Sequence, residues 1–488
     1  MSTPHLGVVG LGVMGRNLAL NAIDAGVAVA GTDLGDDAVA GFHEEAEGRE
    51  LIATTDIDAF LDALPTPRNI LVMVPAGKAV DSVLAGLAPK LGAGDLVIDG
   101  GNSYFKDTQR RHDEMEAQGL HFFGMGVSGG EEGARRGPSM MPGGPNGPYA
   151  RVAPILEGMA AQVGGDPCVA HLGKGASGHY VKMVHNGIEY GLMQLLAEAY
   201  DLLKRGGGLG NDRMGELFSQ WNDGELRSYL VEITADILKH PYSVDVQPHE
   251  APGDQSPPDG MTGEYLLDYI KDTAAQKGTG KWTSQDAMDL GVPTPTIDAA
   301  VTSRYLSALK SERVAAADLL GTPAGRAPGD PDELAGLMGD ALLAAFLVTY
   351  AQGFALLKRA SDAYEFDLDL ETVARVWRGG CIIRADLLEV FREAFRADPD
   401  LPNLLVAPTV ADTLIGHRDA LRQSVVLAAQ AGIPTPALSA SLDYLDAYRS
   451  AWLPANLVAA QRDYFGAHTF ERIDAEGSFH VQWEPAGL

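Results

Sequence analysis

Lys182, Asn186 and Glu189 stand within a twenty-residue stretch, GKGASGHYVKMVHNGIEYGL, at positions 173–192. On a helix at about 100° per residue the three fall within about 60° of one another, with His185 and Tyr190 on the two borders of that window. Val181, Val184, Ile188, Leu192 and Leu195 take the rest of the circumference together with Gly187 and Gly191. Such a helix is apolar on most sides and belongs in a core, with one narrow reactive stripe. A buried Lys and a buried Glu are costly unless something pairs or uses them. Side by side they can form a structural ion pair, or they can exchange protons with a substrate as base and acid. The helix alone admits both.

A second set of residues suits a dinucleotide. Gly10-Leu-Gly12-Val13-Met14-Gly15 follows a short apolar run, His5–Gly10, and opens a helical pattern from Arg16 to Ala25. Gly26 stops that helix, and a second run, Val27–Thr32, ends at Asp33. Glycines between a strand and a helix, with an acid at the end of the next strand, fit a pyrophosphate at a helix N-terminus and a ribose beyond it. Further strands are expected at Asn69–Val74, Asp95–Ile98, His121–Met125 and Cys168–Leu172, alternating with helices in an α/β domain. Three loops that follow strands carry polar or glycine-rich segments: Val74-Pro75-Ala76-Gly77, Asp99-Gly100-Gly101-Asn102-Ser103 and Val127-Ser128-Gly129-Gly130. Ligands of open parallel sheets lie off the carboxyl ends of strands, so these loops should face the cofactor. Gly137–Gly144, restricted by its prolines, reads as an ordered loop.

Beyond Gly178 the strand-like alternation gives way to helical periodicity. Two blocks there are faintly alike. Ile188–Tyr200 resembles Tyr350–Tyr364, and the Trp221…Arg227-Ser228 segment resembles Trp377…Arg384-Ala385, as a duplicated helical unit would give. Val246–Gly260 and Gly321–Asp332 read as exposed loops. Lys277-Gly-Thr-Gly-Lys281 lacks the spacing of a phosphate-binding P-loop and reads as a helix–helix connection with solvated lysines. A helix to about Ala460 precedes a short hairpin, Thr469–Ile473 with Phe479–Trp483 around Glu476-Gly477. That tail is too short to bury a core of its own and must dock on something.

The whole-chain properties exclude several partners. A net charge of −29 over 488 residues repels nucleic acid and anionic membranes. No apolar run of bilayer length is expected, and the N-terminus runs almost directly into a strand, leaving no room for a signal peptide. Cys168 and Cys381 are the two cysteines, in no metal-ligand spacing, and a reduced, cytoplasmic setting is the expectation.

The motifs GLGVMGRNLALN, DGGNSYF, VSGGEEGARRGPSMMPGG, VKMVHNGIEYG, QKGTGKW, WRGGCIIR and QRDYFGAHTFE together resemble decarboxylating 6-phosphogluconate dehydrogenase, in order and over essentially the whole chain. The resemblance implies an α/β Rossmann N-terminal domain (1–177) followed by a large all-α domain (178–436). A short C-terminal tail (437–488) would thread into the other subunit of a homodimer. It implies oxidation of 6-phosphogluconate at C3 and decarboxylation to ribulose 5-phosphate without metal, Lys182 being the general base and Glu189 the general acid. Asn102, His185 and Asn186 match positions that hold the reacting hydroxyls and carboxylate, and Ser128, Gly129 and Gly130 match the loop at the carboxyl end. Tyr190, Lys277 and Arg304 match ligands of the phosphate, completed in trans by Arg462 and His468. Gly10, Gly12, Val13, Met14, Gly15, Asp33, Val74, Ala76 and Asn102 fall to the coenzyme. NADP-dependent members have Asn-Arg-Thr where this chain has Asp33-Leu34-Gly35, and Pro75 replaces their Lys, so NAD is expected over NADP. Ala251–Gly260 is longer than the family's pattern. The alternatives are a dehydrogenase of a smaller β-hydroxyacid, which needs neither Lys277, Arg304 nor the tail, and a non-catalytic dinucleotide-binding protein, which has no use for Lys182 and Glu189 together.

Overall fold

The computed structural model describes residues 5–242, 263–276, 278–322 and 325–483. Lys277 and the Pro-rich 246–260 segment lie outside the described residues. The N-terminal part is a seven-stranded sheet: β1 Leu6–Val9, β2 Val29–Thr32, β3 Ile52–Thr54, β4 Asn69–Val72, β5 Leu96–Asp99, β6 His121–Ser128 and β7 Ser139–Pro142. Its order is β3-β2-β1-β4-β5-β6-β7, with β1 to β6 parallel and β7 antiparallel to β6. The helices are α1 Val13–Asp24, α2 Asp36–Glu45, α3 Ile57–Asp62, α4 Lys78–Leu87, α5 Phe105–Glu116, α6 Gly130–Arg136 and α7 Asn146–Met159. Alternation along the strands builds two cores. Val8, Leu71, Ile98 and Phe123 pack on one face with residues of α1 and α7, while Val9, Ile70, Val97 and Phe122 pack on the other with residues of α3 and α4. The parallel direction of β1 to β6 places every βα loop that follows them along one edge.

Three expectations are corrected here. Cys168–Leu172 is not a strand. It runs beside β7, tied by Met140 N–H to the Cys168 carbonyl and Leu172 N–H to the Pro142 carbonyl, and only Val169 forms a bridge. Within Gly137–Gly144, Ser139–Pro142 is an edge strand and not loop, a position that tolerates proline because its outer side needs few donors. The short β3 was not anticipated.

The second part is helical: α8 Ser177–Asp201, α9 Asn211–Asn222, α10 Tyr229–Lys239, α11 Thr279–Leu290, α12 Pro295–Ala308, α13 Lys310–Leu320, α14 Pro331–Ala363, α15 Leu370–Val376, α16 Leu387–Ala397, α17 Pro408–Ala431, α18 Pro436–Tyr448 and α19 Ala455–Gly466. Against expectation, α14 is long and apolar enough to cross a bilayer, but 83% of its apolar window is buried inside the protein. It is the core helix on which α8 and α17 pack. The two similar segments meet: Tyr229 N–H donates to the Arg384 carbonyl and Asp386 N–H to the Arg227 carbonyl, both at 3.0 Å, so that Ser228 and Ala385 pair antiparallel.

Helix α8 is the element that joins the two parts, and glycines let it do so. A Cβ on Gly126 of β6 would stand 2.3 Å from the Lys182 Cβ, and one on Gly178 would stand 2.3 Å from the Met141 carbonyl oxygen. On the other side, Cβ atoms on Gly187 and Gly191 would meet Thr283 and Thr349 at 2.6 Å. The helix therefore lies directly on β6, with α11 and α14 pressed against its back. Gly126→Ala is expected to lower stability by about 1–3 kcal/mol and to cut turnover by shifting Lys182. Gly416→Ala in α17, whose Cβ would meet nothing within 4 Å, should be neutral or gain up to about 1 kcal/mol. Thermal melts and initial rates of the two variants check this; equal behaviour would remove the glycine's assigned role.

By contacts, the chain divides into a unit ending at residue 441 and a second unit, 442–488. In the second, α19 continues past the expected end at Ala460 to Gly466, and the hairpin is shorter than expected, β8 Phe470–Glu471 with β9 Ser478–Phe479. Buried Asp463 organises this unit. Its carboxylate accepts from Thr469 N–H at 3.1 Å, Val481 N–H at 3.1 Å and Trp483 Nε1–H at 2.9 Å, and it pairs with His480 at 2.8 Å.

Candidate active site

The sheet edge and α8 bring the sequence-marked residues together. Gly10, with φ +96°, ends β1. A Cβ on Gly15 would stand 1.9 Å from the Gly10 carbonyl oxygen, so the turn closes only with glycine there. Gly12 is different: among the described residues its Cβ would meet nothing within 4 Å, and no side chain caps the α1 N-terminus that follows it. Val13 and Met14 supply that first turn. An open glycine before unsatisfied helix amides is a cradle that fits a pyrophosphate. Asp33, just past β2, accepts Leu11 N–H at 2.7 Å and Gly35 N–H at 3.1 Å, which holds its carboxylate beside that turn. Val74 and Ala76 follow β4, and Asn102 is exposed in the loop after β5.

Facing this edge, Lys182 of α8 is 6% exposed and donates to Ser128 Oγ at 3.1 Å, at the end of β6. His185 Nε2 lies 3.3 Å from the same Ser128 Oγ, and His185 Nδ1 lies 3.3 Å from Lys182 Nζ and 3.1 Å from Asn186 Oδ1. Asn186 Nδ2 donates to Thr279 Oγ1 of α11 at 2.9 Å. Gly129, left-handed at φ +110°, turns the chain from β6 into α6; a Cβ there would meet the Gly380 carbonyl oxygen at 2.6 Å. Gly130 follows at φ +63°. Glu189 is one turn past His185, with a 3.7 Å approach to its Nδ1, and its side chain is 20% exposed. Tyr190 carries the Arg304 guanidinium of α12 on its ring, 3.4 Å from the centroid. Arg462 and His468 are exposed in the 442–488 unit.

The electrostatics favour proton exchange over a fixed ion pair. Burial pulls the Lys182 pKa below its ordinary value, against the opposing pull of Glu189. Burial likewise raises the Glu189 pKa, against Lys182 and Arg304. His185 is held well below the usual imidazole value by burial and by Lys182, so it is neutral. A base drawn toward its free form and an acid drawn toward its protonated form stand on one helix face.

Sequence reasoning missed Arg111, buried against the loops that follow β4 and β5, and Gly124 and Gly126, which admit α8 to β6. It also missed Thr279 as the partner of Asn186. The KGTGK motif had drawn attention to that segment, but through its lysines.

A dinucleotide cradle on a Rossmann sheet, with a buried Lys and a half-buried Glu on one face of a helix packed against that sheet, defines an NAD(P)-dependent oxidoreductase that moves protons as well as a hydride. Known proteins agree. Residues 5–173 match the family described as the NAD binding domain of 6-phosphogluconate dehydrogenase, and residues 178–483 match its C-terminal domain. A Bacillus subtilis protein named as NADP(+)-dependent, decarboxylating 6-phosphogluconate dehydrogenase is 48% identical over 484 residues, 99% of this chain and 100% of its own. The Escherichia coli decarboxylating 6-phosphogluconate dehydrogenase is also 48% identical, with the same coverage. The Plasmodium falciparum 6-phosphogluconate dehydrogenase, solved in apo form and with NADP+ and with 6-phosphogluconate, superposes with a TM-score of 0.92 at 38% identity, covering 98% of this chain and 100% of that one. The chain belongs to the family of decarboxylating 6-phosphogluconate dehydrogenases.

Proposed function

We propose that the chain oxidises 6-phosphogluconate at C3 and decarboxylates the product to ribulose 5-phosphate and CO2, a step of the pentose phosphate pathway. We further propose that it acts in the cytoplasm, as a homodimer, with NAD preferred. The observation that carries the reading is the stripe of α8 that joins buried Lys182 to half-buried Glu189. When bound, the nicotinamide supplies the hydride acceptor; Gly10, Gly12, Val13, Met14, Gly15, Asp33, Val74, Ala76 and Asn102 would hold the coenzyme.

Neutral Lys182 takes the C3 hydroxyl proton as C3–H is oxidised, which leaves a C3 carbonyl and an ammonium beside it. That ammonium polarises the carbonyl while the C1–C2 bond breaks and its electron pair moves into an enediolate, a role elsewhere given to a metal. Lys182 returns its proton to the C3 oxygen. Glu189 then protonates the carbon that lost CO2 while Lys182 takes back the C3 hydroxyl proton, which restores the carbonyl as the ketone of ribulose 5-phosphate. Ser128, His185 and Asn186, joined around Lys182, orient the substrate's carboxyl end and hydroxyls, with Gly129 and Gly130 leaving room for it.

A chain of net charge −29 cannot draw in a multiply charged anion at long range, so local cations must hold it. Arg304 beside Tyr190, with Lys277, would bind the phosphate. Arg462 and His468 of a second subunit would complete that site. Trp452, Leu457, Val458, Tyr464 and Phe465 leave large apolar surfaces exposed around α19, which fits a tail that docks on a partner. Purified protein with 6-phosphogluconate and either coenzyme should produce reduced nicotinamide absorbance. Inactive Lys182→Met and Arg462→Ala subunits, mixed and allowed to exchange, should partly recover activity, because one of the two sites in each heterodimer is then intact. Heterodimers without recovered turnover would overturn the shared site.

A further inference from the structure

We infer that Arg111, Asp99 and His179 form a buried positioning thread that sets the register between the coenzyme-facing loops and the helix carrying Lys182; this deepens the proposed reading of that site and rests on it. Arg110 and Arg111 adjoin on α5, yet Arg110 is a surface residue while the Arg111 side chain is 1% exposed. Its guanidinium touches three chain segments. Nε donates to Asp81 Oδ1 at 2.8 Å in the first turn of α4, and Nη2 donates to the Gly77 carbonyl at 3.0 Å in the loop after β4. Nη1 reaches Ser103 Oγ at 3.4 Å and Asp99 Oδ2 at 3.5 Å, after β5. Asp99 in turn accepts Gly101 N–H at 3.1 Å and the Ser103 hydroxyl at 2.7 Å.

A fully desolvated guanidinium is poor value for stability alone, since an apolar side chain of the same volume fills such a space as well or better. What only Arg offers is a rigid fork of donors that fixes several acceptors relative to one another. Here the acceptors lie in or directly beside the two loops containing Val74, Ala76 and Asn102.

His179 connects the same node to α8. It is 1% exposed and sits one turn before Lys182. Its Nδ1 is 2.7 Å from Thr108 Oγ1, one turn before Arg111 on α5. Burial, reinforced by Arg111, holds the imidazole below its ordinary pKa against Asp99, so it is neutral. His179 Nε2 has no hydrogen-bond partner among the described residues, so Thr108 is the polar contact through which the ring is held on α5. The ring also needs Gly124, whose Cβ would stand 2.4 Å from Nδ1. The thread runs from the Gly77 loop through Arg111 to Asp99 and Ser103 on either side of the Gly101–Asn102 loop, and along α5 from Arg111 through Thr108 to His179 and the Lys182 helix.

The test separates positioning from simple packing. Reduced coenzyme is titrated by fluorescence without substrate, and kcat, KM and the deuterium isotope effect at C3 are measured with 6-phosphogluconate. Arg111→Met should weaken coenzyme binding about tenfold, with Arg111→Lys restoring little because a point charge cannot span the acceptors. His179→Gln and Thr108→Val should leave coenzyme binding within about twofold but lower kcat about tenfold and enlarge the isotope effect, as misplaced reacting groups do. The Arg111→Met/His179→Gln double variant should fall short of the product of the singles. If Arg111→Met does not fold, Ser103→Ala removes one hydroxyl of the same node and should still weaken coenzyme binding. Lowered melting temperatures with unchanged coenzyme binding, kcat and isotope effect would overturn the inference, and so would fully independent effects in the double variant. A wild type that binds reduced coenzyme without oxidising 6-phosphogluconate would refute the functional reading instead, and the coenzyme titrations would still decide the loop clamp.

Discussion

Lys182→Met is expected to lower kcat with 6-phosphogluconate by at least about a thousandfold while leaving coenzyme binding intact. Two roles are removed at once: the base that takes the C3 hydroxyl proton, and the ammonium that stabilises charge as CO2 leaves. Met matches the length of the Lys stem, so the close seat on Gly126 is kept, and no buried charge is left unpaired. Glu189→Ala is the informative contrast. It removes the proton donor of the last step, so turnover should slow less severely and the oxidised or enediol intermediate should accumulate. The directions of the pKa shifts fix the pH profile. Lys182 must be neutral, so kcat/KM falls as pH drops and the amine protonates; Glu189 must be protonated, so it falls again as pH rises. Burial brings the two limbs toward each other from the ordinary Lys and Glu values. In Glu189→Ala the residual rate should lose its alkaline limb. Near-normal oxidation by Lys182→Met, checked by single-turnover formation of reduced coenzyme, would show that the base lies elsewhere.

The reactive stripe was legible because a helix places residues three, four and seven apart on one face whatever surrounds it, and the glycine turn was legible because strand, turn and helix are contiguous. Features made by distant segments were not. Arg110 and Arg111 are indistinguishable in KDTQRRHDEME, and only the approach of the Gly77 and Asp99 loops buries one of them. Gly124 and Gly126 look like weak points of a strand until α8, more than fifty residues on, lies across them. Cys168–Leu172 has strand composition but meets the sheet beyond an antiparallel edge, where two backbone bonds and a single bridge do not make a ladder. Asp463 reads as one more surface acid in an acidic chain; its role depends on Val481 and Trp483 folding back on α19.

The wild type is expected to use NAD with kcat/KM about a hundredfold above NADP. The relatives include an NADP(+)-dependent enzyme, so the expectation is carried by the adenosine-ribose end of this chain's own site. Asp33 is fixed beside the glycine turn by Leu11 N–H and Gly35 N–H, where its remaining acceptor capacity suits ribose hydroxyls. A 2′-phosphate would set a doubly charged group against that carboxylate, and Asp36 and Asp37 in the first turn of α2 add to the repulsion. No cation stands in compensation at the next position, since Leu34 is 100% exposed. Arg49 is paired with Asp24 at 3.2 Å and Arg16 with Glu45 at 3.2 Å, which leaves exposed Lys78 as the nearest alternative in sequence to the coenzyme loops. Repulsion plus a missing charge-assisted bond together come to about 3 kcal/mol. The Asp33→Asn/Leu34→Arg variant reverses both terms and should bring the two coenzymes to parity or invert their order, with little change in the KM for 6-phosphogluconate. Lys78→Ala should then leave the wild-type ratio unaltered. The measurement is kcat/KM for each coenzyme at one fixed salt concentration, because screening alone weakens the repulsion. Equal use of NAD and NADP by the wild type would refute the assignment of Asp33, as would a double variant that keeps the original ratio.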